Sequence, residues 1–165
     1  MTTIPIERLR ELFIYDPATG LLTNRVDRGS RAREGREAGN KDSQGYRIVR
    51  VDKKMLKVHR IIWALQFDEW PEGPLDHIDG VVDNNRIANL RVASYADNNR
   101  NRRITDANSS GHKGVNWCKR SQKWRVGIKV NRRPLYIGMF SDFETAAKAY
   151  REAAVKYFGA FARFR

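Results

Sequence analysis

Apolar residues recur at Ile6, Leu9, Leu12 and Phe13, the spacing of one helical face, and Asp16-Pro17 with Thr19-Gly20 predicts a turn into a short strand from Leu21 to Asn24. Residues 27–44 are rich in Arg, Glu and Gly with almost nothing apolar, which predicts a mobile surface loop. The alternation Tyr46-Arg47-Ile48-Val49-Arg50-Val51, a turn at Asp52-Lys53-Lys54, and Met55-Leu56-Lys57-Val58 predict a β-hairpin. Ile61, Ile62, Ala64, Leu65 and Phe67 then read as a helix stopped by Trp70-Pro71-Glu72-Gly73-Pro74. Two short strands, Leu75 to Ile78 and Leu90 to Val92, flank a polar loop from Asp79 to Asn89. Ser94 suits the N-cap of a helix reaching Arg100 or beyond.

Asn99 to Gly111 is polar and has the composition of a linker, with a boundary near Ser109. Three alternating segments follow, Lys113 to Cys118, Lys123 to Lys129 and Pro134 to Phe140, with turns at Arg120-Ser121-Gln122 and Asn131-Arg132-Arg133. Trp124, Val126 and Ile128 share one face, and Lys123, Arg125, Gly127 and Lys129 the other. Leu135, Ile137 and Met139 are expected inward, with Tyr136 and Gly138 outward. A helix capped by Ser141 or Asp142 carries Phe143, Ala146, Ala147, Tyr150, Ala153, Ala154 and Tyr157 on one stripe. Trp124, Tyr150, Tyr157 and Phe161 read as core. Trp117 either stacks or packs, and Cys118 is a strand-end residue.

Charge changes this picture. The 165 residues carry a formal charge of +13, unevenly placed: residues 1–99 hold 16 Lys and Arg against 15 Asp and Glu, while residues 100–165 hold 16 against 4. A balanced segment joined to a strongly cationic one points to a polyanion grip attached to something else. One cysteine excludes an intramolecular disulfide and Cys-pair zinc sites. Neither a signal peptide nor a bilayer-spanning apolar run is read, so a cytoplasmic protein of a bacterial cell or phage-infected host is expected.

The most informative stretch is Asp76-His77-Ile78-Asp79-Gly80-Val81-Val82-Asp83-Asn84-Asn85-Arg86-Ile87-Ala88-Asn89-Leu90-Arg91, followed by Asp97-Asn98-Asn99-Arg100. With Tyr15-Asp16-Pro17-Ala18-Thr19-Gly20 and Val58-His59-Arg60, it resembles the HNH nucleases, in their homing-endonuclease-like branch, over roughly residues 10–103. Phosphodiester hydrolysis needs a nucleophilic water, a counter-charge for the transition state and help for a departing alkoxide. Neighbouring strand residues point to opposite faces, so His77 suits deprotonation of the water while Asp76 turns toward a metal. The resemblance implies a second metal ligand at Asn98, 21 residues beyond His77. Asn99 takes that place if the helix register slips by one. Asn89, 12 residues beyond His77, is the middle residue of the motif; its amide is implied to pin the loop and orient the base. A carboxylate and an amide suit a hard cation, Mg²⁺ or Mn²⁺. Asn98 stands where the HNH motif in its most familiar form has His, a weaker donor that keeps a ligand in place. Asp79, Asp83, Asn84 and Asn85 read as loop-building Asx residues. His59 reads as a packed histidine or a neighbour of the site, and Arg86 and Arg91 as phosphate contacts or solvated cations.

Residues 111–164 resemble the DNA-binding domain of plant Apetala and ethylene-response factors. The matching pieces are Lys113-Gly114-Val115, Lys123-Trp124-Arg125-Val126, Tyr136-Ile137-Gly138-Met139-Phe140, Glu144-Thr145-Ala146-Ala147, Ala149-Tyr150, Ala153-Ala154, Phe158-Gly159 and Phe161-Ala162. This resemblance implies DNA contacts at Lys113, Asn116, Arg125, Lys129 and Tyr136. Asn116 and Gly127 replace family arginines, so base preference does not transfer.

The resulting expectation is an α+β chain with two domains. Residues 1–105 would form a ββα-metal (His-Me finger) HNH nuclease domain with an N-terminal β-hairpin extension. Residues 106–165 would form a three-stranded antiparallel sheet packed on one helix. The expected activity is metal-dependent hydrolysis of double-stranded DNA, with no membrane or small-molecule partner and with monomer and homodimer both open. Products with 5′-phosphate and 3′-hydroxyl ends are implied by the resemblance. The rivals are a non-catalytic DNA-binding regulator and an RNA-directed protein.

Overall fold

The computed structural model describes residues 4–101, 104 and 108–164, in two compact units, Met1–Ser94 and Tyr95–Arg165. The boundary expected at 105/106, residues 102, 103 and 105–107 of the expected linker and the side chain of Asn99 lie outside the described residues. The strands pair antiparallel in several small sheets.

In the first unit, helix α1 (Ile6–Leu12) runs directly into the hairpin β1 (Phe13–Asp16) and β2 (Leu21–Asn24). The turn between them is held by Asp16, whose carboxylate accepts from the Ala18 amide at 2.9 Å, and by Gly20 at φ +80°. β3 (Asn40–Lys41), β4 (Arg47–Val51) and β5 (Lys54–Lys57) form a second sheet. Its hairpin turns on Asp52 and Lys53, both at positive φ, the conformation whose twist matches that of the flanking strands. α2 (Val58–Phe67) lays Val58, His59, Ile61, Ile62 and Ala64 inward and ends where Asp68 turns left-handed. The core joins Leu9, Phe13, Leu22, Val51, Val58, Ile61 and Ile62.

The stretch expected as a mobile loop is tied down over its second half. Ala38 is fully buried and donates its amide to Leu22 O at 2.7 Å, while Asn24 N and Nδ2 both reach Arg36 O. One methyl group, main-chain bonds and the Asn24 side-chain amide make the anchor, and none of these leaves a mark on apolar periodicity. β6 (Leu75–His77) and β7 (Leu90–Val92) complete the unit.

The second unit begins with α3 (Tyr95–Asn101). β8 (Val115–Cys118), β9 (Lys123–Val130) and β10 (Arg133–Phe140) form a sheet in the order β10-β9-β8. α4 (Phe143–Phe158) packs against it and is capped by Asp142, which accepts from Thr145 N at 2.7 Å. Val115, Val126, Ile128, Ala146, Tyr150 and Ala154 form the core. Gly114 (φ +65°) passes so close to the helix that a Cβ there would lie 2.2 Å from the Tyr150 ring and 2.3 Å from Gly127 O.

Two expectations are corrected here. β10 carries a bulge between Tyr136 and Gly138, so the alternation reverses: Met139 pairs with outward Arg125, and Phe140 with inward Trp124. An extra strand residue shifts every later side chain to the other face. Tyr157 is 41% exposed; Phe158 packs onto the core instead. Trp117, left open by sequence, packs edge-on against Trp124 at 5.0 Å between ring centroids. Among the described residues no helix is long and apolar enough to cross a membrane.

Candidate active site

β6 and β7 pair so that Asp76 lies opposite Arg91 and His77 opposite Leu90. Asp76 and His77 are 4% and 3% exposed, unusual for such polar groups unless they are partnered. Arg91 supplies the partner for Asp76, donating Nε and Nη2 to the same oxygen, Oδ2, at 2.9 and 2.8 Å. The charge-assisted pair offsets the desolvation of the carboxylate.

His77 is held through its ring. Nε2 lies 3.1 Å from Oδ1 of Asn85, itself buried. An amide oxygen accepts and cannot donate, so this contact suits a neutral ring that carries its proton on Nε2. The rings of His59 and Tyr46 stand beside it at 5.1 and 5.9 Å between centroids, His59 edge to face. Burial pushes the His77 pKa below the ordinary histidine value. The Asn85 bond and the charges of Asp79 and Asp76 oppose this, and Lys57 adds to it. The ring is therefore neutral at neutral pH, the state a proton acceptor requires. His59, chiefly through burial and then through His77, is pushed down to about 3.

The polar loop between the strands is closed on itself. Asn89 Oδ1 accepts from Asp79 N at 3.0 Å, and Asn89 Nδ2 donates to Asp79 Oδ1 at 3.0 Å and to Asn84 O at 2.8 Å. Asp79 also accepts from Val81 N and Asn84 Nδ2. Asp83 is tied to the neighbouring sheet through Lys41 at 2.8 Å and Arg47 at 3.4 Å. Arg86 donates to Ala18 O at 3.0 Å and Ile87 N to Tyr15 Oη at 2.9 Å, joining the loop to the β1–β2 hairpin.

Of the sequence-derived site residues, Asp76 and His77 thus adjoin on one strand, and Asn89 staples the loop behind them. The hydrogen bond to the His77 ring comes from Asn85, a residue read from sequence as loop-building. Nothing in residue spacing marks that contact, because it depends on the path of an irregular loop. Asn98 is half-exposed on α3, in the second unit. Among the described residues no group of three or more His, Cys, Asp or Glu side chains gathers as a metal cluster.

In the second unit, Asn116 and Arg125 are cross-strand partners, Lys129 lies further along the same face of β9, and Tyr136 pairs with Gly127. All four are exposed, and the Arg125 guanidinium stands 5.9 Å from the Tyr136 ring centroid. Lys113 differs from them. It is half-buried just before β8, its main-chain amide donates to Phe164 O, and burial, then Arg163, push its ammonium pKa down to about 8.

Comparison with known proteins bears on the first of these sites. A family model described as HNH endonuclease matches residues 56–100, the segment holding α2, β6, the polar loop and β7. The solved structure described as "DNA binding and cleavage by the HNH homing endonuclease I-HmuI" covers 96% of this chain and 91% of its own, at 19% identity and a TM-score of 0.42. Protein 3.8 of Escherichia phage T7 is 32% identical over 113 residues, which are 68% of this chain and 93% of that protein. The chain therefore belongs to the HNH endonuclease family, with Protein 3.8 of phage T7 as a relative.

Proposed function

We propose that the protein is a metal-dependent, homing-type endonuclease that hydrolyses phosphodiester bonds of double-stranded DNA. The observation that carries this reading is the buried, neutral His77 beside the buried Asp76 carboxylate, inside the segment matched by the HNH endonuclease family. His77 Nδ1 accepts a proton from a water as its oxygen attacks phosphorus, and the P–O3′ bond breaks, the departing 3′ oxygen taking a proton from solvent water, to leave 5′-phosphate and 3′-hydroxyl ends. Asn89 keeps the loop closed behind the base.

Asp76 and Asn98 would hold the cation. Asp76 already accepts from Arg91 through Oδ2, and a carboxylate with an amide is a hard-oxygen donor set. A divalent cation such as Mg²⁺ or Mn²⁺, if held by these residues, would supply positive charge to the anionic transition state. The exposed face carrying Asn116, Arg125, Lys129 and Tyr136, together with Lys113 just before β8, supports a DNA grip whose contacts are largely to phosphate. The division of labour is a nuclease domain over residues 1–105 and an Apetala-like binding domain over 106–165. The phage relative suits a setting in the cytoplasm of an infected bacterium.

The cationic face by itself also favours a non-catalytic DNA-binding regulator. Incubating supercoiled plasmid with the protein in Mg²⁺, Mn²⁺ or chelator, beside His77→Ala, separates the two. Metal-dependent nicking lost in the variant is expected; DNA binding without cutting in any metal puts the regulator first.

A further inference from the structure

The hydrogen bond between Asn85 and His77 has a chemical consequence that loop building does not require. A neutral imidazole can carry its proton on either nitrogen, and rotation of the ring exchanges the two. The aromatic walls of His59 and Tyr46 confine the ring without selecting a tautomer. Asn85 Oδ1, at 3.1 Å from Nε2, does select one, because it can only accept. Both residues are buried, at 4% and 3% exposure, so water is a poor substitute for the amide.

Asn85 is held in turn. Its main-chain amide donates to Asp83 O at 3.1 Å, and its main-chain carbonyl oxygen lies 3.5 Å from the Tyr15 hydroxyl. Tyr15 Oη accepts from Ile87 N, and Arg86 donates to Ala18 O, so the residues following Asn85 are fastened to the β1–β2 hairpin. The hairpin comes close enough that a Cβ on Gly20 would lie 2.7 Å from Arg86 N and 3.1 Å from Asn85 C. This contact demands glycine, as does the positive φ of Gly20.

We propose that Asn85 is a positioning residue: its side-chain oxygen holds His77 in the Nε2-protonated tautomer with Nδ1 facing the reaction, and the β1–β2 hairpin holds Asn85 there through Tyr15 and Arg86. The inference rests on the reading of His77 as the base, but its test does not depend on cutting. Nitrogen-15 spectra of the histidine rings, recorded on the full chain where the ring is neutral, report the tautomer, with His77 assigned by its loss in His77→Ala. The wild type is expected to show a protonated Nε2 and an unprotonated Nδ1. Asn85→Ala should mix the tautomers and slow single-turnover nicking about tenfold or more, a usual scale for losing such a supporting partner. Duplex affinity should change by less than about twofold, as expected where only the chemical step is touched. Asn85→Asp, which restores an acceptor oxygen, should recover the single tautomer. Tyr15→Phe, which leaves Asn85 and the ring intact, should show a smaller change in the same direction, and it provides a second variant if Asn85→Ala does not fold. An Nδ1-protonated ring in the wild type, or a single Nε2-protonated tautomer retained in Asn85→Ala, overturns the role of Asn85. An unaltered spectrum in Tyr15→Phe overturns the role of the hairpin. A wild type that cuts no DNA, yet shows the expected spectra, removes the nuclease reading and leaves the positioning in place.

Discussion

The candidate site of the first unit and the exposed sheet face of the second treat polar side chains in opposite ways. In the first, Asp76, His77, Asn85 and His59 are taken out of water; Arg91 pairs with Asp76, Asn85 bonds His77, and neighbouring rings pack against both histidines. In the second, Asn116, Arg125, Lys129 and Tyr136 stay exposed on one sheet face, over a small core of Val, Ile, Ala and Tyr. The contrast follows from the tasks proposed for each. A base must be neutral and fixed in orientation, which burial and a defined acceptor provide. A phosphate grip gains by displacing counterions, which solvated cations do without a fixed geometry.

The sharpest way to break this contrast is His77→Ala. Removing a general base is expected to cut nicking by about 10²-fold or more, with duplex affinity unchanged in a filter-binding or anisotropy titration. A large loss of affinity would mean that the first unit grips as well as cuts. Next is Gly114→Ala, where a Cβ would meet the Tyr150 ring. A cost of about 2–3 kcal/mol is expected from overpacking and the positive φ, read as faster amide exchange in β8–β10 and α4 with the first unit unaffected.

The burial of His59 gives a stability test. Its folded pKa is near 3 and its unfolded value is about 6.5, so the unfolded chain takes up a proton first as pH falls. The stability that neutral His59 contributes is complete above about pH 6.5 and is lost progressively down toward the folded value, at about 1.4 kcal/mol per pH unit. Urea unfolding at stepped pH should show that slope, and it should flatten in His59→Leu. The smallest expected effect is on the exposed face: Arg125→Ala or Lys129→Ala should each reduce the salt dependence of duplex binding by about one unit of slope, without changing the rate of nicking at saturation.

Much of the architecture was legible because it follows local periodicity. α1, the β4–β5 hairpin, α2, the short strands around Asp76 and Leu90, and α4 with its Asp142 cap all announce themselves in apolar spacing or cap chemistry. The misreadings share a cause. Met139 and Gly138 change faces because of a bulge, and the loop before β3 is anchored by Ala38 and main-chain bonds, features decided by pairing between distant segments. Tyr157 sat on the apolar stripe by period, yet the sheet beneath α4 covers Phe158 in its place.

Asp76 and His77 are adjacent in sequence, and strand geometry alone sets them side by side. Membership in the HNH family and the concentration of positive charge in the C-terminal part are likewise written in the order of residues. Which group holds the His77 ring is not, because Asn85 reaches it along an irregular loop fastened to a hairpin some 70 residues earlier in the chain. Local sequence sets backbone preferences and the charge of a segment; the partner of a buried polar atom is chosen by whichever distant side chain the packed structure brings within hydrogen-bonding reach.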